Sequence, residues 1–259
     1  IAGIMNQTFD KMFYPVLAAS RPDAMSELGI YGAVYKIAIV MVMFTQAFRF
    51  AYEPFIFARN KDAGDGNKKS YSEAMKYFII FGLFIFLAVM FYIDIVRFFM
   101  PATYCTGLKV VPIIMLAELF FGIFFNLSLW YKLTDRTQWG AWFSLFGFVI
   151  TAIINIVGVP RFGYMACAWA AFVCYLSMML ASFFIGQRVY PIKYELGNAL
   201  RYTLLTVVLY LVGTLVPIDS LLLRLAFRTV LLVVFLLYLV RHDLPLSDIP
   251  GLKRFVSRS

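Results

Sequence analysis

Between Gly29 and Arg59 the chain runs through an apolar stretch long enough to cross a bilayer, yet Lys36, Arg49 and Glu53 lie inside it. Each charge costs roughly 2.5–3.5 kcal/mol at the centre of an isolated membrane helix. Charges persist at such depth where they face a bundle interior or a wet cavity and find partners there. Gln46, Arg49 and Glu53 stand at i, i+3 and i+7, so a helix presents them as one polar stripe, with Arg49 and Glu53 four apart and able to pair. Pro54, beside that pair, removes a backbone donor and favours a kink. A structural salt bridge near the membrane surface is the plainer reading of the stripe; a solute cavity lined by this helix is the one preferred.

Composition puts the rest of the chain in the same setting. Of 259 residues, 63% are hydrophobic and only 14% charged, more apolar than a soluble core of this size requires. Eight apolar segments are separated by polar or proline-bearing breaks, at about 1–19, 29–58, 77–96, 110–131, 139–159, 164–186, 199–216 and 221–240. No strand alternation of barrel type is sustained. The expected fold class is therefore an all-α polytopic membrane protein with eight transmembrane helices. The start at Ile1, already within an apolar segment, reads as the C-terminal part of a longer protein.

The net charge of +9 invites a nucleic-acid reading, but its distribution argues against one. One set of alternate connections, with the tail, holds fourteen of the 23 basic residues, from Arg59, Lys61 and Lys68 through Lys132, Arg188 and Arg201 to Arg258. The opposite set holds six: Arg21, Arg97, Lys109, Arg161, Arg224 and Arg228. The positive-inside rule then places the 60–76 loop and the C-terminus in the cytoplasm, and no nucleic-acid partner is needed.

Polar residues inside other spans complete the candidate site. Asn6, Gln7, Asp10 and Lys11 fall within about a turn and a half of the first segment. Glu118, Gly122 and Asn126 form a small-and-polar stripe at i, i+4 and i+8 in the fourth, suited to close helix contact or to a cavity. Asp94 and Arg97 read as a surface pair of little energetic weight. The last two spans, rich in Leu and Val without internal acids or amides, read as lipid-facing walls. Cys105, Cys167 and Cys174 suggest no disulfide framework, and the single His242 leaves little for metal chemistry, so no metal site is expected. No phosphate-cradling glycine loop, serine elbow or clustered external acids are found, so an enzyme is not expected.

The series NQTFDK, ELGIYGAVYKIAI, QAFRFAYEPFIFAR, YMACAWAAFVCYLSMM and QRVYPIKYE resembles the C-terminal half of bacterial polysaccharide flippases. These are the O-antigen and capsule-type lipid-linked oligosaccharide translocases of the multidrug/oligosaccharidyl-lipid/polysaccharide exporter superfamily. The resemblance implies a second six-helix transport lobe over 1–186, two additional C-terminal transmembrane helices over 187–240 and a cytoplasmic tail over 241–259, with the N-terminal lobe lying outside this chain. It implies transport of an undecaprenyl-diphosphate-linked oligosaccharide across the bacterial inner membrane by alternating access. Cavity residues carried over are Asp10, Lys11, Lys36, Arg49 and Glu53, to which the polar pattern adds Gln46, Glu118 and Asn126. Arg49 or Lys36 would engage the diphosphate, and Tyr31, Tyr35, Tyr52 and Gln46 the sugars. Asp10, Glu53 or Glu118 would hold a coupling proton or sodium ion; no other cofactor is expected. Partners would be the lipid-linked oligosaccharide, membrane lipids and the N-terminal lobe. The alternatives are a multidrug or cation exporter of the same superfamily, and a membrane glycan polymerase or ligase.

Overall fold

A computed structural model describes residues 2–59 and 66–244 of the chain. The 60–65 part of the basic loop and the tail from 245, with Lys253, Arg254 and Arg258, lie outside the described residues, as do the side chains of Asn6 and Gln7. The described residues are almost wholly helical and contain no strand. In order they form α1 (Ala2–Leu17), α2 (Ala24–Arg59), α3 (Gly66–Phe91), the short α4 (Ile93–Phe98) and α5 (Ala102–Cys105), a 3-10 turn at Thr106–Val110, α6 (Val111–Leu127) and the short α7 (Leu129–Leu133). Then come α8 (Gln138–Phe162), α9 (Tyr164–Val189), α10 (Leu196–Leu215) and α11 (Leu221–His242).

Among the described residues, seven helices are long and apolar enough to cross a membrane: α2, α3, the run from α5 through α7, and α8 to α11. The chain is an all-α polytopic membrane protein. At 16 residues, α1 is shorter than these and lies against α8 and α2 as a further helix of the bundle.

The starts of α2 and α3 differ from the expectation. Helix α2 begins at Ala24, not 29, and runs through Pro54 to Arg59. Helix α3 begins at Gly66 rather than 77. A helix propagates cheaply past the apolar segment once started, and Lys69 and Glu73 lie 3.9 Å apart at i, i+4 in this extension.

Helix α6 holds the centre, packed against α9, α2 and α3; α8 lies between α9 and α1. The core has Phe78, Leu87, Phe91, Ile114 and Met115 fully buried. Gly122 allows a close approach, since a Cβ there would collide with Phe78 of α3 and the Thr45 hydroxyl of α2. Close helix contact thus accounts for the glycine of the Glu118–Gly122–Asn126 stripe.

Side-chain bonds tie each end of the antiparallel bundle. At one end, Arg21 forks onto Glu27 at 2.5 and 3.0 Å, Tyr14 donates to the same carboxylate at 2.5 Å, and Gly163 turns with φ 58° against this pair. At the other end, rich in basic residues, Lys76 lies 3.0 Å from Asp243 and 3.3 Å from Glu195. Tyr202 donates to Asp243 at 2.6 Å, and Tyr77 to its backbone carbonyl at 3.0 Å.

Helices α10 and α11 are accordingly more than apolar walls, which corrects the sequence expectation. They pack mainly on α3 and are pinned at both ends. Asp243 fixes the basic end. At the opposite end, Asp94 pairs not with Arg97 but with Arg228 at 2.7 Å and Arg224 at 3.0 Å. Arg97 is exposed. The partners lie more than 100 residues apart, beyond the reach of a local spacing rule.

The Asp243 latch carries a pH dependence. Burial alone would raise its carboxyl, but the bonds from Tyr202 and Lys76 outweigh it and hold the group below the ordinary carboxylate range. A depressed folded-state value means that the stabilisation is present above the unfolded value and lost as pH falls through the folded one. Acid titration below about pH 4 should loosen the basic end of α11, read as faster amide exchange over 236–242. Asp243→Asn should show no acid-dependent change there, whereas one equal to the native protein's would remove Asp243 as the cause.

Candidate functional site

The expected site residues separate into two polar clusters and one solitary cation. The first cluster joins α1, α2 and α6. Asp10 is 9% exposed and accepts from the Tyr31 hydroxyl at 2.7 Å and from the Lys11 backbone N–H at 2.8 Å. The Lys11 ammonium sits 3.7 Å over the Tyr35 ring, and the Tyr35 hydroxyl donates to Glu118, 6% exposed, at 2.7 Å. Tyr31 and Tyr35 follow one another at i, i+4 on α2, their rings 6.1 Å apart, so one helix turn holds an acid of α1 and an acid of α6. The arrangement is two packed tyrosine–carboxylate bonds side by side on one helix. The two tyrosines, expected to offer sugar contacts, each donate to a carboxylate here.

The second cluster lies at the basic end of α2. Arg49 Nε stands 3.1 Å from Glu53, the pair the i, i+4 spacing predicts. The spacing could not reveal Lys132 of α7, whose ammonium meets the same carboxylate oxygen at 2.5 Å. Two cations on one carboxylate leave a local charge excess of about one. The Arg49 guanidinium also rests 4.8 Å from the Phe125 ring centroid. Thr45, Phe48, Tyr52 and Asn126 close around this cluster, leaving only a small recess. Asn126 is buried and donates to the Gly122 carbonyl one turn earlier at 3.2 Å. Gln46 is half-buried on the same helix face.

Lys36 stands apart. It is exposed, and no ion pair forms at it among the described residues. Gly29, Gly32 and Ala33 of its own helix and Met100, Pro101 and Tyr104 frame an open recess around it. It belongs to an uncovered stripe of α2 on which Val40, Met43 and Phe50 are also exposed. A lone cation at that level costs several kcal/mol against hydrocarbon unless water or an anion reaches it.

Neutralising Glu53 should set Arg49 and Lys132 against each other. In the full-length protein, Glu53→Gln and Arg49→Gln should each lower stability, and the double variant should lose less than the sum. A coupling of about 0.5–3 kcal/mol is expected for partners in one network. Additive losses in this cycle would mean that the two residues act separately.

No protein-family model matches the sequence, and no curated protein matches it. Among solved structures, the chain is similar in fold to the lipid II flippase MurJ in an inward closed conformation, with a TM-score of 0.64 and 14% identity. The match covers 92% of this chain and 55% of that one, so the chain spans about half the length of the flippase it matches. Its membrane-helix architecture is similar to that part of the structure.

Proposed function

We propose that the chain forms part of a transporter that flips a lipid-linked oligosaccharide across the bacterial inner membrane by alternating access. The fold likeness to a lipid II flippase over nearly the whole chain carries this reading. Residues 1–186 would be a six-helix transport lobe and 187–240 two additional helices. The docking of α10 and α11 mainly on α3, rather than among the other helices, supports that division. The substrate would carry its diphosphate past the cations of α2 while its polyprenyl tail stays in hydrocarbon.

Asp10 and Glu118, buried and each held by one tyrosine hydroxyl, would be the sites of a coupling proton or sodium ion. Glu53, already joined to two cations, is the weaker candidate. Dependence of transport on an imposed sodium or proton gradient tests the coupling, and indifference to both would reject it.

The basic end would face the cytoplasm. Cysteine reporters placed at Arg136 and Asp219, both exposed turn positions, should then be shielded from and open to external thiol reagent, respectively. The reverse pattern would invert the topology.

The function itself is tested by complementation. The full-length protein, expressed in cells lacking their polysaccharide flippase, should restore surface glycan. Normal membrane insertion with no glycan display, across strains making different repeat units, would overturn the reading.

A further inference from the structure

A threonine inside an apolar helix can satisfy its hydroxyl on the carbonyl four residues earlier. Thr203, Thr206, Thr214 and Thr229 do so here, at 2.7–2.8 Å. Thr45 of α2 does not. It is 4% exposed, and its buried hydroxyl meets no hydrogen-bond partner among the described residues. Its hydroxyl faces Gly122 of α6, where a Cβ would lie 2.8 Å from the oxygen, and both residues line the recess beside Arg49. Two further polar groups of that lining keep bonding capacity. Asn126 donates through its amide nitrogen to the Gly122 carbonyl, and its amide oxygen accepts nothing among the described residues. Arg49 donates through Nε to Glu53, and its terminal nitrogens form no hydrogen bond among the described residues.

We infer that this recess is a binding site for one water molecule, which accepts from the Thr45 hydroxyl and joins α2 to Asn126 of α6. Size and charge select that occupant. The free volume of about 10 Å³ admits the centre of a single water, and a chloride or phosphate is larger. A cation small enough to enter would meet the excess positive charge of Arg49 and Lys132 over Glu53. A buried water needs two to four polar partners, and a hydroxyl, an amide oxygen and a guanidinium supply both donors and an acceptor. The close contact that Gly122 permits between α2 and α6 is therefore wet at one point, beside the network of Arg49, Glu53 and Lys132. The inference does not rest on the transport reading.

Radiolytic hydroxyl labelling of the full-length protein tests this, because a bound water generates the radical where it sits. Phe78 and Phe91 of α3 are both fully buried, and of the two only Phe78 lines the recess. Phe78 should therefore be oxidised several-fold more than Phe91 in the native protein. Thr45→Val should remove that excess, and Thr45→Ser, which keeps the hydroxyl, should retain it. Thermal unfolding adds a test of sign. Valine in place of a water-bonded threonine should lower the midpoint by a few degrees, whereas valine in place of an unbonded hydroxyl should raise it. The native labelling pattern is informative even if a variant folds poorly. Equal oxidation of Phe78 and Phe91 in the native protein, or a raised midpoint for Thr45→Val, would overturn the inference.

Discussion

Arg228→Met should destabilise the protein by about 3–5 kcal/mol and free the ends of α10 and α11 that lie opposite Asp243. Arg228 is 8% exposed and donates at 2.7 Å to Asp94, at 3.0 Å to the Phe91 carbonyl and at 3.1 Å to the Gly213 carbonyl. One guanidinium therefore closes the ends of α3, α4 and α10 onto α11. Methionine keeps much of the volume and leaves the two carbonyls and half the Asp94 pairing without a donor. Arg224 cannot replace it. Its Nε is 3.0 Å from the same carboxylate but not aligned for a hydrogen bond, and its side chain is 32% exposed. Arg224→Met should cost only about 1 kcal/mol. Thermal unfolding in detergent gives the two losses, and proteolysis in the 216–220 turn reports the release. Equal behaviour of the two variants would show that burial at Arg228 adds nothing.

The spans were legible in the sequence because a bilayer imposes a length and an apolarity that few other structures need. Their ends were less so: nothing local marks where α3 stops in a polar run, and the helix continues to Gly66. The same divide runs through the site. Arg49–Glu53 follows from spacing along one helix, and the structure has it. Lys132 on Glu53, Arg228 on Asp94 and Lys76 on Asp243 join residues 79, 134 and 167 positions apart, and no periodicity encodes such pairs. Tyr31 and Tyr35 carried a signal that went unused: two hydroxyls one turn apart on a helix bearing intramembrane charge are ready donors for buried carboxylates. Apolar composition hid the role of α10 and α11, since one buried arginine, Arg228, is enough to change a wall into a clasped pair.

On the flippase reading proposed above, Lys36→Glu should end glycan export while leaving the protein inserted and abundant. Lys36 and Arg49 are 13 residues apart on α2, about 20 Å along its axis and about 140° around it. One diphosphate cannot touch both, so at most one of them meets the substrate at any stage. Arg49 is held by Glu53 and rests on Phe125, whereas Lys36 is exposed on the uncovered stripe. A passing anion gains most from the cation that has no standing partner to give up, because the paired one must first break its own contact. Reversing the charge at Lys36 would place a carboxylate against the diphosphate and oppose its approach. Lys36→Arg keeps the charge with a broader, planar head and should retain part of the export. Arg49→Gln, by contrast, should reduce export mainly through lost protein, because it strips a partner from Glu53. The measurement is surface glycan in cells lacking the native flippase, with membrane protein quantified alongside. Undiminished export by Lys36→Glu would take this lysine off the substrate path and leave Arg49 as the cation to test.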